Sequence, residues 1–77
     1  MDYDIVKRFR AEFGGQVEEV YVNGRRVGMV YRDPKPPAEI DELWMAYTQG
    51  GQGARSRDEA LRAVLRHAEE NPDYELQ

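Results

Sequence analysis

Ser56 and His67 are the residues on which nucleophilic catalysis would depend, because the chain contains one residue of each type. If both lie on one helix, they stand about 16 Å apart along its axis. A serine and a histidine that share a proton must lie within hydrogen-bond distance. We therefore expect no hydrolase pair, and interpret Ser56 as a helix cap and His67 as a favourable residue at the negative end of the helix dipole.

The acidic residues give no better catalytic set. Glu18 and Glu19 are neighbours and would point to opposite faces of a strand, and the pairs Asp41-Glu42 and Glu69-Glu70 are likewise adjacent. A metal site needs three or four converging ligands, and the chain has one histidine and no cysteine. We expect no enzyme activity, no metal site and no cofactor.

A glycine loop, Gly50-Gly51-Gln52-Gly53, precedes a helix start and is followed by Arg55 and Arg57. Free amides, a positive dipole end and guanidinium groups are the ingredients of an anion site. Asp58 and Glu59 already place negative charge where a phosphate would sit. A plain turn with a cap and a weak phosphate or carboxylate contact both remain open.

Arginines beside aromatic residues form the last candidate site. They could make a basic face on which aromatic rings stack with bases or with a partner, or they could pair with nearby acids while Trp44 packs in the core. The predicted partner-binding or nucleic-acid-binding residues are Arg25, Arg26, Arg32, Arg55, Arg57, Tyr21 and Trp44.

The N-terminal half predicts one helix and a hairpin. Asp2 or Asp4 can cap a helix with one apolar side, which Gly14-Gly15 would end. From Val17 the apolar period changes to two, and Asn23-Gly24 is a strong hairpin-turn signal. A loop of two or of four residues is compatible with this pattern. The expected helix stripe is Ile5, Val6, Phe9 and Phe13, and the expected inward strand set is Val20, Val22, Val27, Met29 and Tyr31.

The C-terminal half begins with a stiff connector, Asp33-Pro34-Lys35-Pro36-Pro37, which cannot join a sheet ladder. We prefer a third strand from Leu43 to Thr48, although residues 38–47 also match helical spacing. Ser56 and Glu59 form a capping-box pattern before a helix with the apolar stripe Ala60, Leu61, Val64, Leu65 and Ala68. Asn71-Pro72 would end this helix.

These elements predict an α+β fold of order α-β-β-β-α, with a three-stranded antiparallel sheet and helices packed on one face. Residues 1–77 would form a single domain with a frayed tail at residues 72–77. The net charge of −4 argues against strong non-specific binding to nucleic acid or anionic membranes. Because no apolar run approaches a membrane span, we expect no membrane association and a cytoplasmic location.

The run from Leu43 to Tyr47, the glycines Gly50 to Gly53 and the segment from Ser56 to Leu61 resemble the last strand and helix of the arm-binding N-terminal domains of phage-type integrases. The order with a leading helix also resembles that of double-stranded-RNA-binding domains. The resemblance covers about two thirds of the chain. It implies a nucleic-acid contact at Arg25, Arg26, Arg32, Arg55 and Arg57.

The favoured functional hypothesis is a small acidic, non-enzymatic protein-interaction module, such as a regulatory or inhibitory accessory protein of a phage or mobile element. Its basis is the lack of a converging catalytic set, together with segregated charge and a free sheet edge. The alternative is a nucleic-acid-binding domain that uses an arginine-lined sheet and hairpin face. The partner's identity and the oligomeric state stay open.

Overall fold

A computed structural model describes residues 2–77, which form an α+β fold of five strands, a short 3₁₀ helix and one α-helix. The strands make an antiparallel sheet in which each strand pairs with the next along the chain. Their bounds are β1 Asp4–Arg10, β2 Gly15–Val22, β3 Arg25–Arg32, β4 Trp44–Tyr47 and β5 Gly51–Ala54, with the 3₁₀ helix at Ala11–Phe13 and α1 at Arg57–Glu70. The α+β class is confirmed, whereas the predicted leading helix and three-stranded sheet are wrong.

The segment predicted as the first helix is the edge strand β1. It pairs with β2 along its whole length, from Asp4 opposite Tyr21 to Arg10 opposite Gly15. The local spacing of apolar residues fitted a helix. As a strand, however, the seven residues form a ladder of backbone hydrogen bonds with β2, and this pairing outweighs the local preference. The left-handed stop at Gly14 is present, with φ 86°, and it ends the 3₁₀ helix that turns the chain into β2.

The β2–β3 hairpin turns at Asn23-Gly24 as predicted, and its loop has two residues, one of the two lengths compatible with the sequence pattern. Both loop residues have positive φ, 53° and 79°, and Val22 lies opposite Arg25. Consecutive left-handed residues are typical of the turn whose twist matches that of paired strands. Arg25 and Arg26 therefore lie within the strand pair.

A β-bulge in β3 changes which residues face α1. Val20 lies opposite Gly28 while Tyr21 lies opposite Arg26, so Val27 is an extra residue in β3. An extra residue inverts the alternation of side chains along a strand. The predicted inward set is consequently correct for Val20, Val22 and Val27. The predicted face is wrong for Met29 and Tyr31, which lie on the other side of the sheet, where Met29 is nevertheless buried.

β4 and β5 complete the sheet. The predicted third strand is confirmed, and the helical alternative for its residues is wrong. Gly51–Ala54, expected to be a loop, pairs with β4 from Trp44 opposite Ala54 to Tyr47 opposite Gly51. Glycine is disfavoured in strands, and the backbone bonds to β4 compensate for that preference. The glycines therefore do not form a free amide cradle for an anion.

The C-terminal helix follows the prediction. The Ser56 hydroxyl accepts a hydrogen bond from the Glu59 backbone N–H at 3.1 Å, and the Glu59 carboxylate accepts one from the Arg55 N–H at 3.4 Å. The helix packs against β3, β4 and β5. The core between sheet and helix consists of Val20, Val22, Val27, Val30, Ala46, Ala54, Ala60, Leu61, Val64 and Ala68. Within residues 2–77, α1 is too short and too polar to span a membrane, and no other helix could.

Gly28 allows α1 to approach the sheet. A Cβ at this position would lie 2.7 Å from Val64 Cγ1 and 2.9 Å from the Tyr47 carbonyl oxygen. The second contact is to backbone, which cannot move without disturbing the β3–β4 pair. We expect Gly28→Ala to lower the free energy of unfolding by about 1–3 kcal/mol through overpacking, measured by urea denaturation.

Gly50→Ala is the matched control, because a Cβ at Gly50 would meet nothing within 4 Å. It should change the free energy of unfolding by less than about 0.5 kcal/mol. Equal stability of the two variants would contradict the close approach of helix and sheet.

Candidate functional site

Glu19 lies near the middle of β2, and its residue is 0% exposed. The carboxylate accepts hydrogen bonds from Arg8 Nε at 2.6 Å and from Arg10 Nη2 at 3.0 Å, both on β1. It also accepts bonds from Arg26 Nη1 at 2.7 Å and from the Tyr21 hydroxyl at 3.0 Å. A buried carboxylate is tolerated when it is paired and hydrogen-bonded, and four donors satisfy this one.

The sheet register brings these donors together. Glu19 and Tyr21 are two residues apart on β2 and share the face opposite α1. On β1, Val6 lies opposite Glu19 and Arg8 opposite Val17, so the arginines of β1 project from the same face.

Arg26 reaches this face because of the bulge. In an unbroken alternation from Tyr31 and Met29, Arg26 would point towards α1 and Val27 away from it. The extra residue reverses both positions, so that Val27 enters the core and Arg26 bonds Glu19. The β-bulge therefore contributes both to the core and to the glutamate cluster, by which we mean Glu19 with Arg8, Arg10, Tyr21 and Arg26.

The C-terminal tail holds Arg26 from the other side. The Leu76 N–H donates to the Arg26 carbonyl oxygen at 2.7 Å, and Arg26 Nη2 donates to the Leu76 carbonyl oxygen at 3.3 Å. The Tyr74 hydroxyl donates to the Thr48 carbonyl oxygen at 2.8 Å. The tail, expected to be frayed, thus lies against the part of β3 that β4 does not cover.

Electrostatics follow from this geometry. Burial alone would raise the pKa of Glu19, but the hydrogen bonds from the three arginines and from Tyr21 outweigh it and lower the pKa from 4.5 to about 2. The hydrogen bond to Glu19 in turn raises the pKa of Arg8. Three guanidinium groups surround one carboxylate, which leaves a local surplus of positive charge, and the Arg8 side chain is 55% exposed.

An aromatic cluster lies beside this charge cluster on the same face. The ring of Phe13 lies 4.9 Å from that of Tyr31 and 5.3 Å from that of Tyr47, measured between centroids. Glu19 pairs with Met29, and Met29 with Tyr47, so the backbone of Tyr47 lies two strands, about 10 Å, from that of Glu19. We call this surface the arginine face; it comprises Arg8, Arg10, Phe13, Glu19, Tyr21, Arg26, Met29, Tyr31, Met45 and Tyr47.

Of the residues predicted as a site, Tyr21 and Arg26 lie on the arginine face. The others do not join them. Arg57 binds Glu18, with Nη2 2.6 Å from Oε1, and Trp44 packs against the core. Arg32 pairs with Glu42, and Arg25 donates to the Pro72 carbonyl oxygen. Arg55 is exposed between β5 and α1.

Sequence reasoning missed Glu19, Arg8, Arg10 and Phe13. Their signal was present as alternation, because Arg8 and Arg10 are two apart, as are Glu19 and Tyr21. That signal becomes visible once residues 4–10 are treated as a strand, whereas a helix would send the two arginines in different directions.

The residues considered for catalysis have structural positions. Ser56 caps α1, and the ring of His67 packs edge-on against Tyr74 at 4.8 Å. Among residues 2–77, no group of three His, Cys, Asp or Glu side chains could hold a metal ion. An open cleft of about 370 Å³ is lined by Phe13, Gly14, Gln16, Arg32, Asp33, Pro34, Pro36 and Asp41, and this lining includes no serine or histidine.

Glu19→Gln tests the charge cluster. Removal of the buried charge should lower the free energy of unfolding by about 2–4 kcal/mol near neutral pH. Because the folded-state pKa is depressed, the native chain holds this contribution above about pH 4.5 and loses it as the pH falls towards 2. The stability gap between native and variant chains should therefore narrow over that range, as measured by urea denaturation at several pH values.

Glu39→Gln is the control, because Glu39 is exposed. It should leave stability and its pH dependence almost unchanged. If the difference in free energy of unfolding between the native chain and Glu19→Gln stays constant from about pH 6 to pH 2, the cluster of arginines around Glu19 is contradicted.

No family model, no curated protein and no solved structure matches this chain. The geometry of residues 2–77 is therefore what supports a function.

Proposed function

We propose that this protein is a non-enzymatic protein-interaction module that binds an acidic surface of another protein through the arginine face. The observation that carries this proposal is the trio of Arg8, Arg10 and Arg26 held by the buried Glu19 beside an aromatic cluster. Tyrosine and arginine are enriched among the residues that dominate binding energy at protein interfaces. Both types occur together on this face.

Pre-organisation supports the proposal. Ordering a long side chain on binding costs about 0.5–1.5 kcal/mol, and Glu19 already holds these arginines in place. The carboxylate occupies some of their donors, and the side chains of Arg8 and Arg10 keep 55% and 31% of their surface exposed to a partner. A guanidinium binds a carboxylate through two parallel hydrogen bonds, so carboxylate groups are the partner chemistry that fits.

Charge distribution supports an acidic partner as well. The chain has a net charge of −4, yet the glutamate cluster carries three positive groups and one negative group. Acidic residues collect instead at the end of α1 and in the tail, at Glu69, Glu70, Asp73 and Glu75. Such separation orients an approaching partner and disfavours the wrong face.

A charge-matched pair of variants tests the proposal. Arg8→Gln with Met45→Glu removes one positive charge from the arginine face and adds one negative charge to it, while Glu19 keeps Arg10, Arg26 and Tyr21. The control Arg62→Glu makes the same net change on the exposed side of α1. The native chain, the double variant and the control are each immobilised and compared by quantitative affinity capture of proteins from a nuclease-treated lysate. Cross-links to the captured proteins are mapped by mass spectrometry.

We expect the native chain and the Arg62→Glu control to retain partner proteins at least tenfold more strongly than the double variant does. The cross-links to these proteins should lie at the arginine face. Circular dichroism checks that each variant is folded. Equal capture by the double variant, or cross-links confined to α1, would contradict the proposal.

Nucleic-acid binding is the second candidate, and the adjacency of arginines and aromatic rings on one face favours it. Three phosphate contacts predict that affinity falls about 40-fold between 50 and 200 mM salt. Fluorescence anisotropy with labelled single-stranded and duplex oligonucleotides measures this dependence. Absence of binding at 50 mM salt would exclude nucleic-acid binding. Oligonucleotide binding that persists in the presence of competing protein would favour nucleic-acid binding over protein binding.

A further inference from the structure

β1 is a long edge strand with a free outer side. It has seven residues and no glycine or proline, whereas the opposite edge, β5, has four residues of which two are glycines. Unpaired backbone groups along an edge are a template for another strand. The structure thus offers β1 as the better of its two edges for pairing.

The hairpin turn determines which backbone groups point outwards. Val22 and Arg25 close the two-residue turn and bond each other, so the backbone of Tyr21 and of Glu19 is directed at β1. Their partners Asp4 and Val6 point inwards. The N–H and C=O groups of Ile5, Lys7 and Phe9 are therefore directed away from the sheet.

Apolar side chains are exposed along the same strand. Phe9 is 79% exposed, and Tyr3, directly before β1, is 42% exposed. Together with the half-buried Ile5 they lie on the side of the sheet that carries α1. The helix packs against β3, β4 and β5, which leaves this stripe on β1 uncovered.

We propose that two copies of this chain pair through β1, antiparallel and with a two-fold axis at Val6, into one continuous sheet. In this register Asp4 of each copy lies opposite Arg8 of the other, and Tyr3 lies opposite Phe9. Opposite charges and aromatic pairs directly across two strands are stabilising. Arg8 donates its Nε to Glu19, and its terminal nitrogens can reach the carboxylate of the second copy.

The neighbouring register, with the axis at Lys7, fits less well. It would place Lys7 opposite Lys7 and Val6 opposite Arg8, and like charges directly opposite are destabilising. Registers shifted by a single residue would place residues of opposite faces together and are excluded by the pleat. Both registers pair Asp4 with an arginine of a second copy, and the like-charge contact of Lys7 with Lys7 disfavours the axis at Lys7.

Single cysteines test this register, because the natural chain has none. Val6 would face its own copy in a pair without mutual hydrogen bonds, with Cα atoms about 4.5 Å apart, within the range that a disulfide bridges. Val6→Cys should form a disulfide-linked dimer under mild oxidation at least tenfold faster than Lys7→Cys or the helix-surface control Arg62→Cys. Rates are read from non-reducing gels of the full chain.

Sedimentation velocity measures the association without any cross-link. The native chain should dimerise with rising concentration, and Phe9→Ser or Asp4→Arg should weaken the dimer at least tenfold; both residues are exposed, so folding is retained. A native chain that stays monomeric at millimolar concentration overturns the proposal. So does a dimer in which Val6→Cys cross-links no faster than the controls, since another surface or register would then form it.

Both experiments use this chain alone, so their outcome does not depend on the proposed partner binding. It would place both arginine faces on one side of a continuous sheet. Asp4 of the second copy would occupy the outer nitrogens of Arg8, so that Arg10, Arg26 and the aromatic cluster remain available to a protein partner.

Discussion

The buried carboxylate of Glu19 is the interaction on which the organisation of this chain depends. A charge removed from water is destabilising by several kcal/mol unless nearby groups compensate it, and here three guanidinium groups and a tyrosine hydroxyl do so. The arginines keep part of their surface in water, so their own desolvation is smaller than that of Glu19. The cluster ties β1 and β3 to β2 through side chains, in addition to the backbone ladders.

The sheet consequently has two faces with different roles. One face buries small and branched apolar residues under α1, and Gly28 lets the helix approach closely. The other face places a charge cluster beside aromatic rings. The bulge at Val27 connects the two, because it sends Val27 into the core and Arg26 to Glu19. A stability feature and a candidate binding feature thus share one backbone irregularity.

Local signals correctly predicted the elements that have their own capping, turn or breaker residues. Ser56 and Glu59 identified the helix start, Asn23-Gly24 the hairpin, and the apolar run after the proline connector the strand β4. β1 and β5 lacked such signals, because their strand state depends on pairing with β2 and β4 rather than on their own residues. The bulge was also hidden, since a single extra residue leaves no composition signature and yet inverts a face.

The candidate site was predicted less well than the fold for the same reason. The basic and aromatic residues of the predicted site include Arg26 and Tyr21 together with Arg57 and Trp44, which lie on the opposite side of the sheet. From the sequence, Glu19 was considered only with its neighbour Glu18, as a pair whose side chains diverge too far for catalysis. Its burial results from strand pairing, which assembles three arginines from two other strands.

The pKa of the Glu19 carboxyl group tests this account most directly. A carbon-13 NMR titration of the native chain, with Glu19 assigned by comparison with Glu19→Gln, reports the protonation of this side chain alone. The account predicts a pKa of about 2, because the arginines and Tyr21 stabilise the charged form. A pKa at the ordinary value of 4.5 would show that the carboxylate lies in water, unpaired, and would contradict the arginine face.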